Sequence, residues 1–360
     1  MGGILDDVVA IGRYDSEGML ASIPRLGAQL QDGWARTREL ELPGAYRDPA
    51  AVAVLGMGGS AIGADLVRAI FAERLRVPLV TVRDYDVPAF LGPHTLVVAA
   101  SHSGATEETL SSLAQAISRG CPAVAITTGG PLLAAARKGG LPCLEYAGES
   151  QPRASVGSGV ALLAGLLERA GCLAVEGEDV AEAASAVAAM VARCGPSVPT
   201  EQNLAKQLAW SLVDRLPVVE GGGFLAPVAR RWKTQFNENA KSMAAWEELP
   251  EATHNAVVGY AQPEALHERT FVVFLASPDD HPRVALRRSL SADLLAEHQV
   301  GHEVVVTAGD GRLAQAFSAI VLGDYASVYL AILYGLDPAP VAAIAYVKER
   351  LAQADPDSRE

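Results

Sequence analysis

Along this chain a short, uninterrupted run of Val, Ala, Leu and Ile leads again and again into a small-residue or polar turn and then into a helical pattern. The runs lie at Ala51–Gly56, Leu79–Val82, Leu96–Ala100, Ala123–Ile126, Pro217–Glu220, Phe271–Ala276 and Val304–Thr307. A strand that is apolar on both faces has no side to give to water, so both faces must be covered. Helices alternating with the strands supply that cover, and such crossovers make neighbouring strands parallel. The predicted fold is doubly wound α/β, a parallel sheet flanked by helices.

The spacing of the runs predicts two such units. Four strands precede residue 150, helical patterns fill roughly 155–193, and the next strand begins near 217. Gly195-Pro196-Ser197-Val198-Pro199 is the best connecting segment between them. We therefore expect an N-terminal helical segment over 1–45, a first domain over 46–195, and a second over 196–360 that carries C-terminal helices. In the first segment, 15–40 is predicted as one helix with Leu20, Ile23, Leu26 and Leu30 on a single face, ended by Pro43-Gly44. At the other end, Asp324–Tyr334 is predicted helical, Gly335 stops it, and Pro338 and Pro340 precede a last helix to about Leu351. The closing Asp355–Glu360 stretch is expected to fray.

Composition narrows the function. The net charge of −13 over 360 residues leaves no basic excess to neutralise a nucleic-acid backbone, so no nucleic-acid partner is expected. A small phosphate needs only local donors and is not excluded. Acids occur early in the N-terminus, no secretory pattern is present, and no run of 18 apolar residues suggests a membrane span. Cys121, Cys143, Cys172 and Cys194 form no CxxC pair, which points to free thiols in a reducing, cytoplasmic setting and to no metal site. His94, His267, His281, His298 and His302 show no metal-ligand spacing either.

Two turns carry the chemistry. Gly56-Met57-Gly58-Gly59-Ser60-Ala61-Ile62-Gly63 follows a strand and opens a helix. Glycines there let a ligand approach the backbone, and the first helical amides are free to bind an anion. The helix dipole adds about 0.3–1 kcal/mol for a nearby negative charge. Gly56, Gly58 and Ala61 also satisfy a dinucleotide GxGxxA pattern, with Asp84 placed to hold a ribose hydroxyl, so a nicotinamide-dependent oxidoreductase is a rival reading. The second turn is Ser101-His102-Ser103-Gly104-Ala105-Thr106-Glu107-Glu108-Thr109, with hydroxyls at Ser101, Ser103, Thr106 and Thr109. Plain capping by Ser103 is the bland account of it. That many hydroxyls suit a phosphate dianion better, and a dinucleotide site has no use for a second anion loop beside the first.

GMGGSAIG followed by SHSGATEET resembles a sugar isomerase (SIS) domain. The resemblance continues through Glu149–Ser155, Leu225–Gln235, Asn237-Glu238-Asn239-Ala240-Lys241, Leu249–Asn255, Asp324–Leu330 and Val347–Arg350. Together these stretches resemble the bifunctional phosphoglucose/phosphomannose isomerases, which carry two SIS domains, over roughly residues 45–352. The resemblance implies two SIS-type α/β domains and a sugar-phosphate substrate. It also implies an aldose–ketose isomerase that works without a cofactor, as a homodimer. Ser60, Ser101, Ser103 and Thr106, with Gly58 and Gly59, would hold the phosphate. Arg153 would stabilise an enediolate, and Glu238 would shuttle the proton between C1 and C2. His254 would assist ring opening from the partner subunit, with Lys348 near the ring oxygen.

The chemistry is consistent on its own terms. An aldose–ketose interconversion needs one carboxylate base, a donor against the oxyanion, and a second acid/base that titrates near neutrality. The chain departs from the family at His102 and Ala105, where Tyr and Asn are usual. A catalytically silent sugar-phosphate-binding protein is therefore the alternative. Acceptance of mannose 6-phosphate beside glucose 6-phosphate is left open by the residues.

Overall fold

A computed structural model describes residues 3–354. Asp355–Glu360, read above as a fraying tail, lie outside the described residues. The chain begins with α1 (Val8–Tyr14), capped by the Asp7 carboxylate, which accepts from the amides of Val9 and Ala10 at 3.0 Å. The helix predicted over 15–40 is in fact interrupted. A 3-10 turn at Ile23–Arg25 containing Pro24 separates α2 (Met19–Ser22) from α3 (Leu26–Glu39), because proline has no N–H to give the ladder. The predicted apolar face holds: Leu20, Ile23, Leu26 and Leu30 are all buried.

The first sheet and its crossovers comprise β1 (Ala51–Leu55), α4 (Gly58–Ile70), β2 (Leu79–Val82), β3 (Thr95–Ser101), α5 (Glu107–Ser118), β4 (Ala123–Thr127), α6 (Gly130–Gly139) and β5 (Cys143–Glu145). Its strands are all parallel in the order β2-β1-β3-β4-β5. Three helices follow, α7 (Val156–Arg169), α8 (Gly177–Cys194) and α9 (Leu204–Leu212). The second sheet then forms from β6 (Leu216–Gly222), α10 (Ala226–Glu238), β7 (Ala245–Leu249), β8 (Thr270–Ala276), α11 (Pro282–Glu297) and β9 (Gly301–Val306). It is also parallel, in the order β7-β6-β8-β9. Helices α12 (Arg312–Leu333) and α13 (Ala342–Gln353) close the chain.

Sequence periodicity misses β5 and β7. The first has three residues, and the second, AWEEL, puts two acids in an edge strand. Charged edges are a common protection against unwanted pairing, and they erase the apolar run that marks a central strand. The C-terminal core helix is also longer than predicted. It starts at Arg312 and is buried all round from Leu313 to Ile332, so it carries no amphipathic stripe to read. It is long and apolar enough to cross a bilayer, yet it lies inside the protein.

Alternating residues of each strand face different layers. Val52, Val54, Val219 and Val273 share one apolar core with α12, while Ala53, Leu55, Val97 and Ala99 pack outward with Leu113 of α5. The two sheets thus flank a common core. The Gly195–Pro199 connection is pinned to it by Lys206, a fully buried side chain whose Nζ donates to the carbonyls of Pro196 (2.8 Å) and Val198 (2.7 Å).

The outer face of the second sheet buries one carboxylate. Glu220 on β6 is fully buried near Val272 and Phe274, accepts from the Tyr260 hydroxyl at 2.6 Å, and stands beside Glu247 on β7. Burial pushes its carboxyl up to about 7; Tyr260 opposes the shift and Glu247 adds to it. The folded state therefore holds this proton more tightly than the unfolded chain, and stability falls as pH rises from the ordinary carboxylate range to about 7. We expect a loss of about 3 kcal/mol across that window. Glu220→Gln should flatten it, as read from urea midpoints at pH 5 and pH 8; an unchanged slope would show that Glu220 does not titrate there.

Candidate active site

In a parallel sheet ordered β2-β1-β3-β4-β5, the crossovers leave β1 and β3 in opposite directions. A crevice opens beyond their carboxyl ends, where such folds bind ligands. The two glycine- and hydroxyl-rich turns are the two lips of that crevice. This order differs from the 3-2-1-4-5-6 arrangement of dinucleotide-binding sheets, which removes the support for the GxGxxA reading and its partner Asp84.

The lips are tied together. The amide of His102 donates to the Ser60 hydroxyl at 3.3 Å, and Ser101 and Thr106 share a hydrogen bond at 2.8 Å. Ser103 accepts from the Ala105 amide at 3.3 Å. Thr106, not Ser103, is the N-cap residue of α5, and no side chain caps that helix. Plain capping therefore does not account for the hydroxyls. The ring of His102 is half-buried and packs edge-on to Tyr146 at 6.2 Å, and burial depresses its pKa.

Gly59 brings the first lip against the 151–155 segment. A Cβ there would stand 3.2 Å from the carbonyl oxygen of Pro152. The next residue, Arg153, sits in a 3-10 turn before α7 with its side chain 3% exposed. Its Nε donates to Asn239 Oδ1 at 2.6 Å, and its Nη2 to the carbonyls of Pro338 and Ala339, both at 2.8 Å. Its Nη1 donates to Gln151 Oε1 at 3.0 Å and lies 3.4 Å from Glu238 Oε2. Burial lowers the pKa of this guanidinium, and Glu238 opposes the shift. Glu238 is the last residue of α10, and 29% of its side chain is exposed, so its carboxylate is open to solvent while keeping its cationic partner.

A second layer fixes this pair, and no residue-level role was read for it from sequence. Arg231, Gln235 and Asn239 recur every four residues along α10 and are all buried. Arg231 and Gln235 each donate to the Asp324 carboxylate at 2.8 Å, and Arg231 also donates to the carbonyl of Arg153 at 3.0 Å. Asn239 donates to Ser327 at 2.9 Å. Burial pushes Asp324 up to about 6, with Arg231 and the Gln235 hydrogen bond opposing. Lys241 donates to the carbonyls of Glu238 (3.0 Å) and Asp337 (2.7 Å), clasping the end of α10 to the 337–339 turn. The sequence offers for them only a polar spacing of four, which a solvent-facing helix shares.

The structure gathers Ser60, Ser101, Ser103, Thr106, Gly58 and Gly59 at the two lips, with Arg153 and Glu238 beside them. His254 and Lys348 are elsewhere. His254 is exposed at the end of a 3-10 turn after β7, and Lys348 lies on α13, every residue of which is exposed. Among the described residues no hydrogen bond or ion pair joins either to Arg153 or Glu238. The described residues also hold no cluster of three or more His, Cys, Asp or Glu placed for a metal, and the four cysteines are free.

A family profile described as the bacterial phospho-glucose isomerase C-terminal SIS domain matches residues 201–351. Among solved structures, tagatose-6-phosphate ketose/aldose isomerase from Escherichia coli matches with a TM-score of 0.68 at 16% identity, covering 90% of this chain and 95% of that one. A glucose-6-phosphate isomerase like protein from Thermus thermophilus matches at 0.62 and 20%, covering 94% and 98%. These likenesses show a shared fold. Sequence relatives go further. A bifunctional phosphoglucose/phosphomannose isomerase of Aquifex aeolicus is 34% identical, over 82% of this chain and 88% of that one. One of Caldicellulosiruptor bescii is 36% identical, over 93% and 99%. Identity at that level across nearly the whole of both chains makes this protein a member of the bifunctional phosphoglucose/phosphomannose isomerase family.

Proposed function

We propose that the protein interconverts glucose 6-phosphate and mannose 6-phosphate with fructose 6-phosphate. The observation that carries this reading is the Arg153–Glu238 pair, 3.4 Å apart, beside a hydroxyl-rich anion crevice. The substrate phosphate sits between the lips, held by Ser60, Ser101, Ser103 and Thr106 and by the amides at Gly58 and Gly59. In the open-chain aldose, Glu238 takes the proton from C2, and the electron pair moves onto the carbonyl as an enediolate. Arg153 meets the developing negative oxygen. Glu238 then returns the proton to C1 while the O2 proton passes to O1, giving the ketose. Removal of the C2 proton erases the configuration that separates glucose from mannose, so both aldoses pass through the same enediolate, and Glu238 reaches the C2 proton of each if the substrate turns about its C2–C3 bond. The scheme balances without a cofactor. A silent binding protein is not favoured, because base and cation are both present and paired despite His102 and Ala105.

The same reading divides the chain into a helical segment 1–45 and SIS domains over 46–195 and 196–360, each domain holding one sheet. It makes the protein a homodimer in the cytoplasm, where free thiols and a phosphorylated substrate belong. Helix α13 supports the dimer: Ile344, Tyr346, Val347 and Leu351 are 43–61% exposed on it, an apolar face that a second copy would cover. In that arrangement His254 enters the site of the partner to open the sugar ring, and Lys348 lies near the ring oxygen.

The direct test is fructose 6-phosphate formation from each aldose phosphate by the purified protein; no turnover of either substrate would refute the proposal. Trans delivery of His254 has its own test. Glu238→Gln and His254→Ala homodimers should each be slow, yet mixing the two after mild dissociation should restore activity, because a mixed dimer holds one site with both residues intact. Mixtures as slow as their parents would place His254 outside the partner's site.

A further inference from the structure

The second sheet repeats the first closely enough to have a crevice of its own. Its order, β7-β6-β8-β9, matches β2-β1-β3-β4, so it too has a switch point, between β6 and β8. Gly223 follows β6 with φ +54°, as Gly58 follows β1 with φ +50°, and each turn leads into a long helix. The helices run to opposite ends. The start of α4 forms a lip of the catalytic crevice and its far end borders the second, while α10 begins at the second and ends at Glu238.

This second crevice opens into a groove of about 1090 Å³ between the edge strands β2 and β7. Its lips are chemically different. Where the first crevice has Ser101, Ser103 and Thr106, the loop after β8 has Ser277, Asp279 and Asp280. The groove compensates with guanidinium groups, at Arg68, Arg76, Arg83, Arg230 and Arg312. Acids line it in similar number, but most are engaged. Asp65 pairs with Arg83 and Arg230, Glu73 pairs with Arg312 at 2.8 Å, Asp280 pairs with Arg288, and Asp279 accepts from Gln315 at 2.7 Å. Arg68 and Arg76 make no side-chain hydrogen bond or ion pair among the described residues. Of the lining acids only Glu248 likewise makes no side-chain hydrogen bond or ion pair among the described residues, so two uncommitted guanidiniums face one uncommitted carboxylate and leave a local cationic excess.

We propose that this groove is a second binding site, separate from the isomerase crevice, for a metabolite carrying a diphosphate group, with Arg68 and Arg76 as its principal phosphate ligands. Each guanidinium can engage a phosphate in the bidentate manner. The volume is larger than a hexose phosphate needs and lies at the upper end of small-molecule sites.

The test is calorimetric titration of the full-length protein with inorganic pyrophosphate. Arg68→Ala/Arg76→Ala should remove one pyrophosphate site per chain, or weaken it at least about tenfold, which is about 1.4 kcal/mol. Fructose 6-phosphate formation should stay at the native rate, because both residues are exposed and neither touches the catalytic crevice. That retained turnover also reports that the variant is folded. Ser103→Ala should leave the arginine-dependent site in place, which separates it from any pyrophosphate held in the first crevice. An unchanged isotherm in the double arginine variant would overturn the proposal. So would an equal loss in Arg13→Ala/Arg47→Ala, exposed arginines outside the groove, since that would show attraction by net charge alone.

Discussion

Glu238→Gln should lower turnover on both aldose phosphates by about 10²–10⁴, the usual worth of a positioned general base. The amide oxygen can still accept from Arg153 Nη1, so the 3.4 Å contact and the fold survive while the proton acceptor is gone. In the proposed scheme the phosphate contacts come from the turns after β1 and β3, whereas Glu238 belongs to α10. Saturation behaviour should therefore change far less than the maximal rate, and a loss confined to kcat is the signature expected of a group acting in the transition state. A native rate in this variant would remove Glu238 from the mechanism. A rise in KM with kcat intact would make it a binding residue.

Arg153→Lys should be nearly as damaging, and in two ways at once. The guanidinium makes directed bonds from Nε, Nη1 and Nη2 to Asn239, Gln151, Pro338 and Ala339 while it faces Glu238. A lysine offers a single ammonium and cannot span that set. Carbonyls or amide oxygens left unpaired in a buried place cost about 1–3 kcal/mol each, so the variant should lose several kcal/mol of stability. Turnover should fall by about 10²–10³ from weaker oxyanion stabilisation. Urea unfolding and steady-state rates measured on the same preparation separate the two effects. A variant with native stability and native rate would show that Arg153 is neither the anchor nor the electrostatic partner assigned here.

Both residues were legible in the sequence only as members of a familiar pattern. Neither the PR in Glu149–Ser155 nor the NEN at the end of a helix announces chemistry by spacing, because the pair is 85 positions apart. The two turns proposed to hold the phosphate are different. Each is a local object, a buried strand followed by small or hydroxylated residues and a helix start, and so each could be recognised from a dozen residues. Local signals failed at the margins. The edge strand β7 hides behind its acids, β5 is too short to show a pattern, and α12 is apolar on every side and so lacks a period.

Readable from the sequence were the parallel α/β class, the two strand sets and the two glycine- and hydroxyl-rich turns. All of these follow from composition and from patterns shorter than one strand–turn–helix unit. Tertiary structure alone decided the strand order that opens a crevice between β1 and β3, and the buried stripe of Arg231, Gln235 and Asn239 that holds Asp324 and Arg153 in place. It alone put Arg68 and Arg76 on one groove and left His254 and Lys348 apart from Glu238 within a single chain. The physical reason is range. Hydrophobic period and turn chemistry act between near neighbours in sequence. The meeting of two charges from different helices depends on how whole layers pack, and no window of residues contains that information.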